Sequence, residues 1–356
     1  MMACRQGQGL VCETLGMSPP PEPTRAQEPV PQSHTTGTEV ARLQRGITLF
    51  AILLAALSLF WWWPRSPVLA LASAAFWLLG YSVFLGFEFL LMHRVNRHDP
   101  APRARLAELL RAWWAETRVD AQVFAWRQPF RAQAVADQLS GSGLHGQRGV
   151  VFIHGLLCNR GFWTPWLQRL QGSRHAFAAV SLEPAFGSID NYVAHINQAV
   201  SQVTQASGMP PLLVCHSMGG LAARAWLKHT QGAGRVYRVV TLGTPHHGTW
   251  LARLGQSHNG RQMRQNSGWL NSLNAQDQSA SMPMSAPLQG TPWQALFTCW
   301  YSNCDNIVFP ATTASLAGAD NRLVRGAGHV QLAFLPEVMD ATLALLTPGP
   351  APNARA

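Results

Sequence analysis

Two long stretches near the start of the chain limit its possible folds more than any other feature. Gly46 to Trp63 is an 18-residue run with no charge, and Pro67 to Met92 is a 26-residue run whose one charge is Glu88. As helices rising ~1.5 Å per residue they would measure roughly 27 and 39 Å, against about 30 Å of bilayer hydrocarbon. Pro64-Arg65-Ser66 between them makes a tight turn. Residues 46–92 are therefore expected to form two transmembrane helices in a hairpin, with Trp61, Trp62 and Trp63 as an aromatic belt at an interface. Glu88 lies four residues from the end of its run and is expected to reach solvated head groups. A cleavable signal sequence would begin earlier, would carry a small-residue cleavage site and would not be followed at once by a second run. A buried soluble helix pair is the other alternative.

The composition agrees with a local apolar excess. Only 12% of the 356 residues are charged, while 47% are hydrophobic. The net charge of +10 comes almost wholly from scattered arginines, Lys228 being the single lysine, with no dense basic helix and no aromatic RNA-binding signature. That distribution argues against nucleic acid and suits anionic lipid head groups. Residues 1–45, rich in Pro, Gln, Thr and Ser, are expected to be a disordered tail, and Met17 is a possible alternative start. The six cysteines form no C-x-x-C pair and no ligand spacing, so neither a metal nor a cofactor is expected. Residues 93–148 are expected to be an amphipathic linker and domain entry. Within it Leu106, Leu109, Leu110, Trp113 and Trp114 give a helix one apolar face, to pack on the domain or to lie at the bilayer surface.

Beyond residue 149 strand and helix patterns alternate, which predicts a mostly parallel sheet covered on both faces, an α/β fold. The expected strands are 150–153, 176–182, 212–215, 236–242, 296–301 and 322–324. A helix is expected from Asn191 to Val203, capped by Ser188 or Asp190.

Leu212-Leu213-Val214-Cys215-His216-Ser217-Met218-Gly219-Gly220-Leu221 is an apolar strand that runs into a helix-forming segment with a serine at the corner. Such a nucleophile elbow pushes the serine hydroxyl out at the carboxyl end of the sheet. Cys215 stands where the pattern G-x-S-x-G has its first glycine; it is small enough to pack there and is read as packing, not as a thiol nucleophile. Ser217 needs a base held by a carboxylate, in the chain order serine, acid, histidine. Asp305 follows an apolar strand, and His329 follows the next one in Gly326-Ala327-Gly328-His329, with Asp320 as reserve acid. His154, His216, His246 and His247 do not follow the last strand and are read as structural. The oxyanion of a tetrahedral intermediate needs two backbone N–H donors, assigned to Met218 and to Leu156, which follows His154-Gly155.

From about Gly149 to Leu346 these motifs, with Val239-Val240-Thr241-Leu242-Gly243-Thr244-Pro245-His246-His247-Gly248-Thr249 and Asp305-Asn306-Ile307-Val308, resemble the bacterial lipase and esterase branch of the α/β-hydrolase superfamily. The resemblance implies an α/β-hydrolase domain over 149–348 and hydrolysis of carboxylic esters, often acylglycerols, through an acyl-enzyme. Ser217, Asp305 and His329 match the family triad, and Leu156 and Met218 its oxyanion pair. Residues from about 243 to 294, including Trp269, Leu270, Leu273, Met282 and Met284, are expected to form either a cap over the acyl pocket or a packed excursion. The expected protein is thus a membrane-anchored serine hydrolase acting on a lipid-like ester. Arg42, Arg45, Arg94, Arg97, Arg103 and Arg105 flank the hairpin and only Arg65 lies in its turn, which places the catalytic domain on the cytoplasmic side of a bacterial inner membrane. A thioesterase or acyltransferase would use the same residues, and a non-catalytic membrane protein could keep the fold as an interaction module. Oligomeric state is not legible.

Overall fold

The computed structural model describes residues 38–277 and 292–347. Most of the expected tail, with Met17, and the excursion's Met282 and Met284 lie outside the described residues. The tail's last residues are helical instead. Helix α1, Glu39–Trp62, opens on Thr38, whose hydroxyl accepts from the Ala41 N–H at 3.1 Å. Its first turns order because Val40, Ala41 and Gln44 are buried.

The second apolar run is not one helix. It forms α2, Pro67–Leu79, and α3, Tyr81–Val95, bent by 54° at Gly80. By length and composition α1 alone could cross a membrane, and α2 with α3 passes the same test only as a bent pair. Trp77 of α2 donates its indole N–H to the Ser58 hydroxyl of α1 at 3.1 Å, joining the two along the hairpin. Because the bend turns α3 away from that direction, Leu85, Glu88, Phe89 and Met92 are buried. Glu88, expected among head groups, is only 8% exposed.

Helix α4, Leu106–Gln122, continues through a π turn, Val123–Arg127, into the short α5, Gln128–Phe130. Its apolar face is split: Leu109 and Trp113 pack partly buried beside Phe89 and Met92, Leu106, Leu110 and Trp114 are exposed, and Glu108, Ala112 and Glu116 are buried on the other side. Residues four apart share a helix face, so Leu106, Leu110 and Trp114 form one stripe and Glu108, Ala112 and Glu116 the opposing one.

The sheet has six strands: β1 Val150–Ile153, β2 Phe177–Ala179, β3 Leu212–His216, β4 Arg238–Leu242, β5 Phe297–Ser302 and β6 Asp320–Val324. All neighbours are parallel, in the order β2-β1-β3-β4-β5-β6. Between strands lie α6 Thr164–Leu170, α7 Val193–Ser207 and α8 Met218–Thr230, and after β4 the short α9 His258–Gln262 and α10 Gly268–Asp277. The last helices are α11 His329–Leu332 and α12 Pro336–Leu343. Side chains alternate across the strands. Val151, Ile153, Leu213 and Cys215 pack with Ile196 and Val200 of α7 and Leu221 and Trp226 of α8. Val150, Phe152, Leu212 and Val214 pack with Trp163, Trp166 and Val338 on the other face. Burial on both faces explains why these strands are continuously apolar.

Leu270 and Leu273 of α10 are buried in the α7–α8 core, and Trp269 donates to Asp190 at 2.9 Å. The described part of the excursion is therefore packed onto the domain. The chain winds outward from β1 to β2, then returns to β3 and proceeds the other way. In open α/β sheets such a reversal opens a crevice at the carboxyl ends of the two central strands. Here those ends carry Gly155-Leu156 and Ser217.

Candidate active site

Ser217 lies between β3 and α8, at the N-cap of α8, with φ 53° and ψ −127°, one of four non-glycine residues with positive φ among those described. A side chain there is strained and must be held by its surroundings. The Ser217 N–H donates to the Leu242 carbonyl at 2.9 Å, and its own carbonyl accepts from the Thr244 hydroxyl at 2.9 Å. The glycines beyond it let α8 approach the sheet. A β-carbon on Gly219 would lie 2.6 Å from the His154 carbonyl oxygen and closer still to that of Ile153, and one on Gly220 would strike the Thr244 side chain. On the β1 side, a β-carbon on Gly155 would stand 2.8 Å from that of Ser217, so the candidate oxyanion loop runs directly against the nucleophile.

Asp305 and His329 meet. The His329 Nδ1–H donates to Asp305 Oδ2 at 2.9 Å, with both residues almost fully buried. The other Asp305 oxygen accepts the N–H groups of Ile307 at 3.0 Å and Val308 at 2.7 Å. Because Nδ1 carries the donated proton, Nε2 is left as the acceptor, the tautomer a general base requires. The pair is tied to the elbow through neighbours. The His216 Nε2–H donates to the His329 carbonyl at 3.2 Å, and the two rings lie 4.6 Å apart. Gly243, which follows the carbonyl bound by Ser217, leaves room where a β-carbon would fall 2.9 Å from Asp305 Oδ2 and 3.1 Å from His329 Nδ1. The Ser217 hydroxyl itself has no hydrogen-bond partner among the described residues, and such nucleophile–base bonds often tighten only with substrate present.

His154 donates from Nδ1 to the Gly155 carbonyl at 2.8 Å and accepts the Leu182 N–H on Nε2 at 3.0 Å. Burial pushes its pKa down to about 4, so it is a neutral ring fixing the loop that carries Leu156. Burial likewise lowers His216 and His246, and His246 bonds the Thr241 hydroxyl at 3.1 Å behind the site. Burial pushes the Cys215 thiol up, consistent with packing and not with thiolate chemistry. Asp320 stands at the amino end of β6, opposite the catalytic end, paired with Arg322 at 2.8 Å. Met218 is the first residue of α8, where backbone N–H groups are free of helical partners and the helix dipole favours negative charge.

Four polar residues, Asn306, Glu88, Glu116 and Gln44, reach the site without a role there having been foreseen. Asn306 accepts the His329 N–H on its side-chain oxygen at 3.2 Å and donates to Glu88 Oε2 at 2.8 Å. Glu116 of α4 accepts the N–H groups of Val330 at 2.6 Å and Gln331 at 2.8 Å. Burial raises Glu116 to about 8 in spite of these two bonds. Gln44 of α1 donates to the Leu157 carbonyl at 3.0 Å, beside the oxyanion loop. Of these only Glu88 carried a signal in the sequence, as the lone charge in its run.

A parallel sheet in this order, with a strained serine between β3 and α8, an acid after β5 and a histidine after β6, is an α/β-hydrolase-like fold. Residues 186–292, from before α7 through the elbow and β4, match the family model of the PGAP1-like alpha/beta domain. No curated protein sequence matches the chain. Among solved structures it is similar to the mature lipase BlEst2 of Bacillus licheniformis, with 19% identity over 57% of this chain and 93% of that one and a TM-score of 0.49. It is also similar to Aspergillus fumigatus lipase B, with 18% identity over 56% and 48% of the two chains and a TM-score of 0.41. The monoacylglycerol lipase of Paleococcus ferrophilus shares 13% identity over 60% of this chain and 95% of that one, with a TM-score of 0.40.

Proposed function

We propose that the chain is a membrane-anchored serine hydrolase that cleaves carboxylic esters of lipid-like acyl groups, with Ser217, His329 and Asp305 as its triad. The observation that carries this reading is the strained Ser217 at the carboxyl end of the same sheet as the 2.9 Å Asp305–His329 pair. His329 Nε2 takes the Ser217 proton as the oxygen attacks the ester carbonyl, and Asp305 stabilises the imidazolium that forms. The N–H groups of Leu156 and Met218 receive the oxyanion. His329 then protonates the departing alcohol, and a water activated by the same nitrogen releases the acid from the acyl-enzyme.

The anchoring half of the proposal rests on exposed apolar surface. Leu49, Phe50, Leu53 and Phe60 on α1, Leu71, Phe76 and Leu79 on α2, and the Leu106, Leu110 and Trp114 stripe on α4 all face outward. We take α1 and α2, residues 46–79, as the membrane-inserted part, shorter than the expected 46–92 because α3 is buried against the loop after β5; residues 80–148 are the entry segment and 149–348 the hydrolase domain, on the cytoplasmic side of a bacterial inner membrane.

A fluorophosphonate probe tests the chemistry: the wild type should label and Ser217→Ala should not, and unchanged labelling of that variant would remove Ser217 from the mechanism. A panel of p-nitrophenyl esters, thioesters and glycerides then ranks substrate classes. For orientation, a reporter fused after Leu346 should be active in the cytoplasm; a periplasmic signal would reverse the assignment.

A further inference from the structure

The one charge of the second apolar run reaches the catalytic loop. Phe89 and Met92 of α3 pack with Cys304 and Phe309, which flank Asp305 and Asn306 in the chain. This packing presents Glu88 to Asn306, whose NH₂ donates to the carboxylate at 2.8 Å. A carboxylate offers acceptors, so the amide must turn its nitrogen toward Glu88 and its oxygen the other way, where it accepts the His329 N–H at 3.2 Å. His329 is thereby held at two points by consecutive residues, its ring by Asp305 and its backbone by Asn306. Burying a carboxyl group is costly, and an apolar side chain would satisfy the packing of α3 without that cost. The group's place is explained by what it orients.

We propose that Glu88 is a positioning residue of the hydrolase: through Asn306 it sets the imidazole of His329 against Ser217, so that the site is complete only with α3 seated. This rests on the triad reading above. The experiment uses the full chain in mild detergent, with a soluble p-nitrophenyl ester for kcat and KM, the rate of fluorophosphonate labelling of Ser217, and thermal unfolding to verify folding. Glu88→Leu should lower kcat and the labelling rate by about 10²-fold with little change in KM, the loss expected when a reacting group is displaced by about 1 Å. Glu88→Gln keeps an acceptor oxygen and should restore most of the rate. The pair Glu88→Leu with Asn306→Ala should lose no more than Asn306→Ala alone, because members of one relay are not additive.

Should Glu88→Leu fail to fold, the relay can be reversed. Asn306→Asp sets two carboxylates face to face and should be impaired, and Glu88→Gln added to it should recover kcat, the new amide donating to a carboxylate that still accepts from His329. Wild-type kcat in folded Glu88→Leu, a loss confined to KM, losses that multiply in the double variant, or no recovery in the reversed pair would each overturn the proposal. If the wild type neither labels nor hydrolyses, the hydrolase reading falls and this one with it. If the wild type labels and Glu88→Leu labels equally fast, only this one falls.

Discussion

At the elbow, function depends on how little space is left. Ser217 keeps its positive φ because its N–H and carbonyl are both bound to the end of β4, at Leu242 and Thr244, and because nothing beyond the backbone stands at Gly219. A methyl group there would press on the carbonyls of Ile153 and His154, which are main chain at the end of β1 and cannot rotate away. Gly219→Ala is expected to cost about 1–3 kcal/mol, the usual range for overpacking, and to lower the thermal unfolding midpoint. It should also slow fluorophosphonate labelling, because the segment displaced is the one leading to Leu156. Ser217, Asp305 and His329 could be picked out as candidates because each follows a strand end that its own neighbours announce, and the structure brings Asp305 and His329 together. Asn306, Glu88 and Glu116 were not, since their roles exist only through partners 23, 218 and 214 residues away. Nothing local distinguishes a buried carboxyl group of that kind from a solvated one.

Among the elements, α4 departs most from its sequence pattern. Its apolar spacing is real, yet half of that face points outward, and the buried stripe is the one bearing Glu108 and Glu116. The physical reason is the His329 loop, whose Val330 and Gln331 N–H groups begin a helix too short to satisfy them and are met by the Glu116 carboxyl group. Burial raises that group from 4.5 to about 8. A folded-state pKa above the unfolded value means that the native state holds more protons across this interval, so stability falls as pH rises from about 5 to 8. Glu116→Gln cannot ionise and should flatten that slope. Thermal midpoints taken at several pH values in the same buffer series would check it, with the variant gaining on the wild type as pH increases. A slope unchanged by the substitution would assign the pH dependence elsewhere. Strands, by contrast, matched expectation to within a few residues, because burial on both faces leaves an unbroken apolar run bounded by turns.

For the whole molecule, the apparent division into anchor and enzyme does not follow the packing. The sequence suggested that a hydrolase begins near residue 149 and that what precedes it is attachment. Yet Phe89, Met92, Ala104 and Ala112 share one buried cluster with Cys304 and Phe309, Thr38 and Gln44 bond to Asn159 and Leu157 of the domain, and Arg45 bonds to Pro129 of the entry segment. A chain shortened to begin at Pro102 would retain the triad and the sheet but uncover that cluster and release Asn306. Its expected behaviour is loss of fluorophosphonate labelling and a tendency to aggregate, checked by labelling beside the full chain at equal concentration. The hairpin also meets the site from two directions: α1 is rooted at Leu157 beside the candidate oxyanion donors, and the α3 that α2 leads into is rooted at Asn306 beside the base. Helices in a bilayer tilt to match its thickness. Tilting turns a helix about its root, so in the proposed membrane-anchored protein these two hydrogen bonds would make the hairpin a pair of calipers whose legs end on opposite halves of the candidate site.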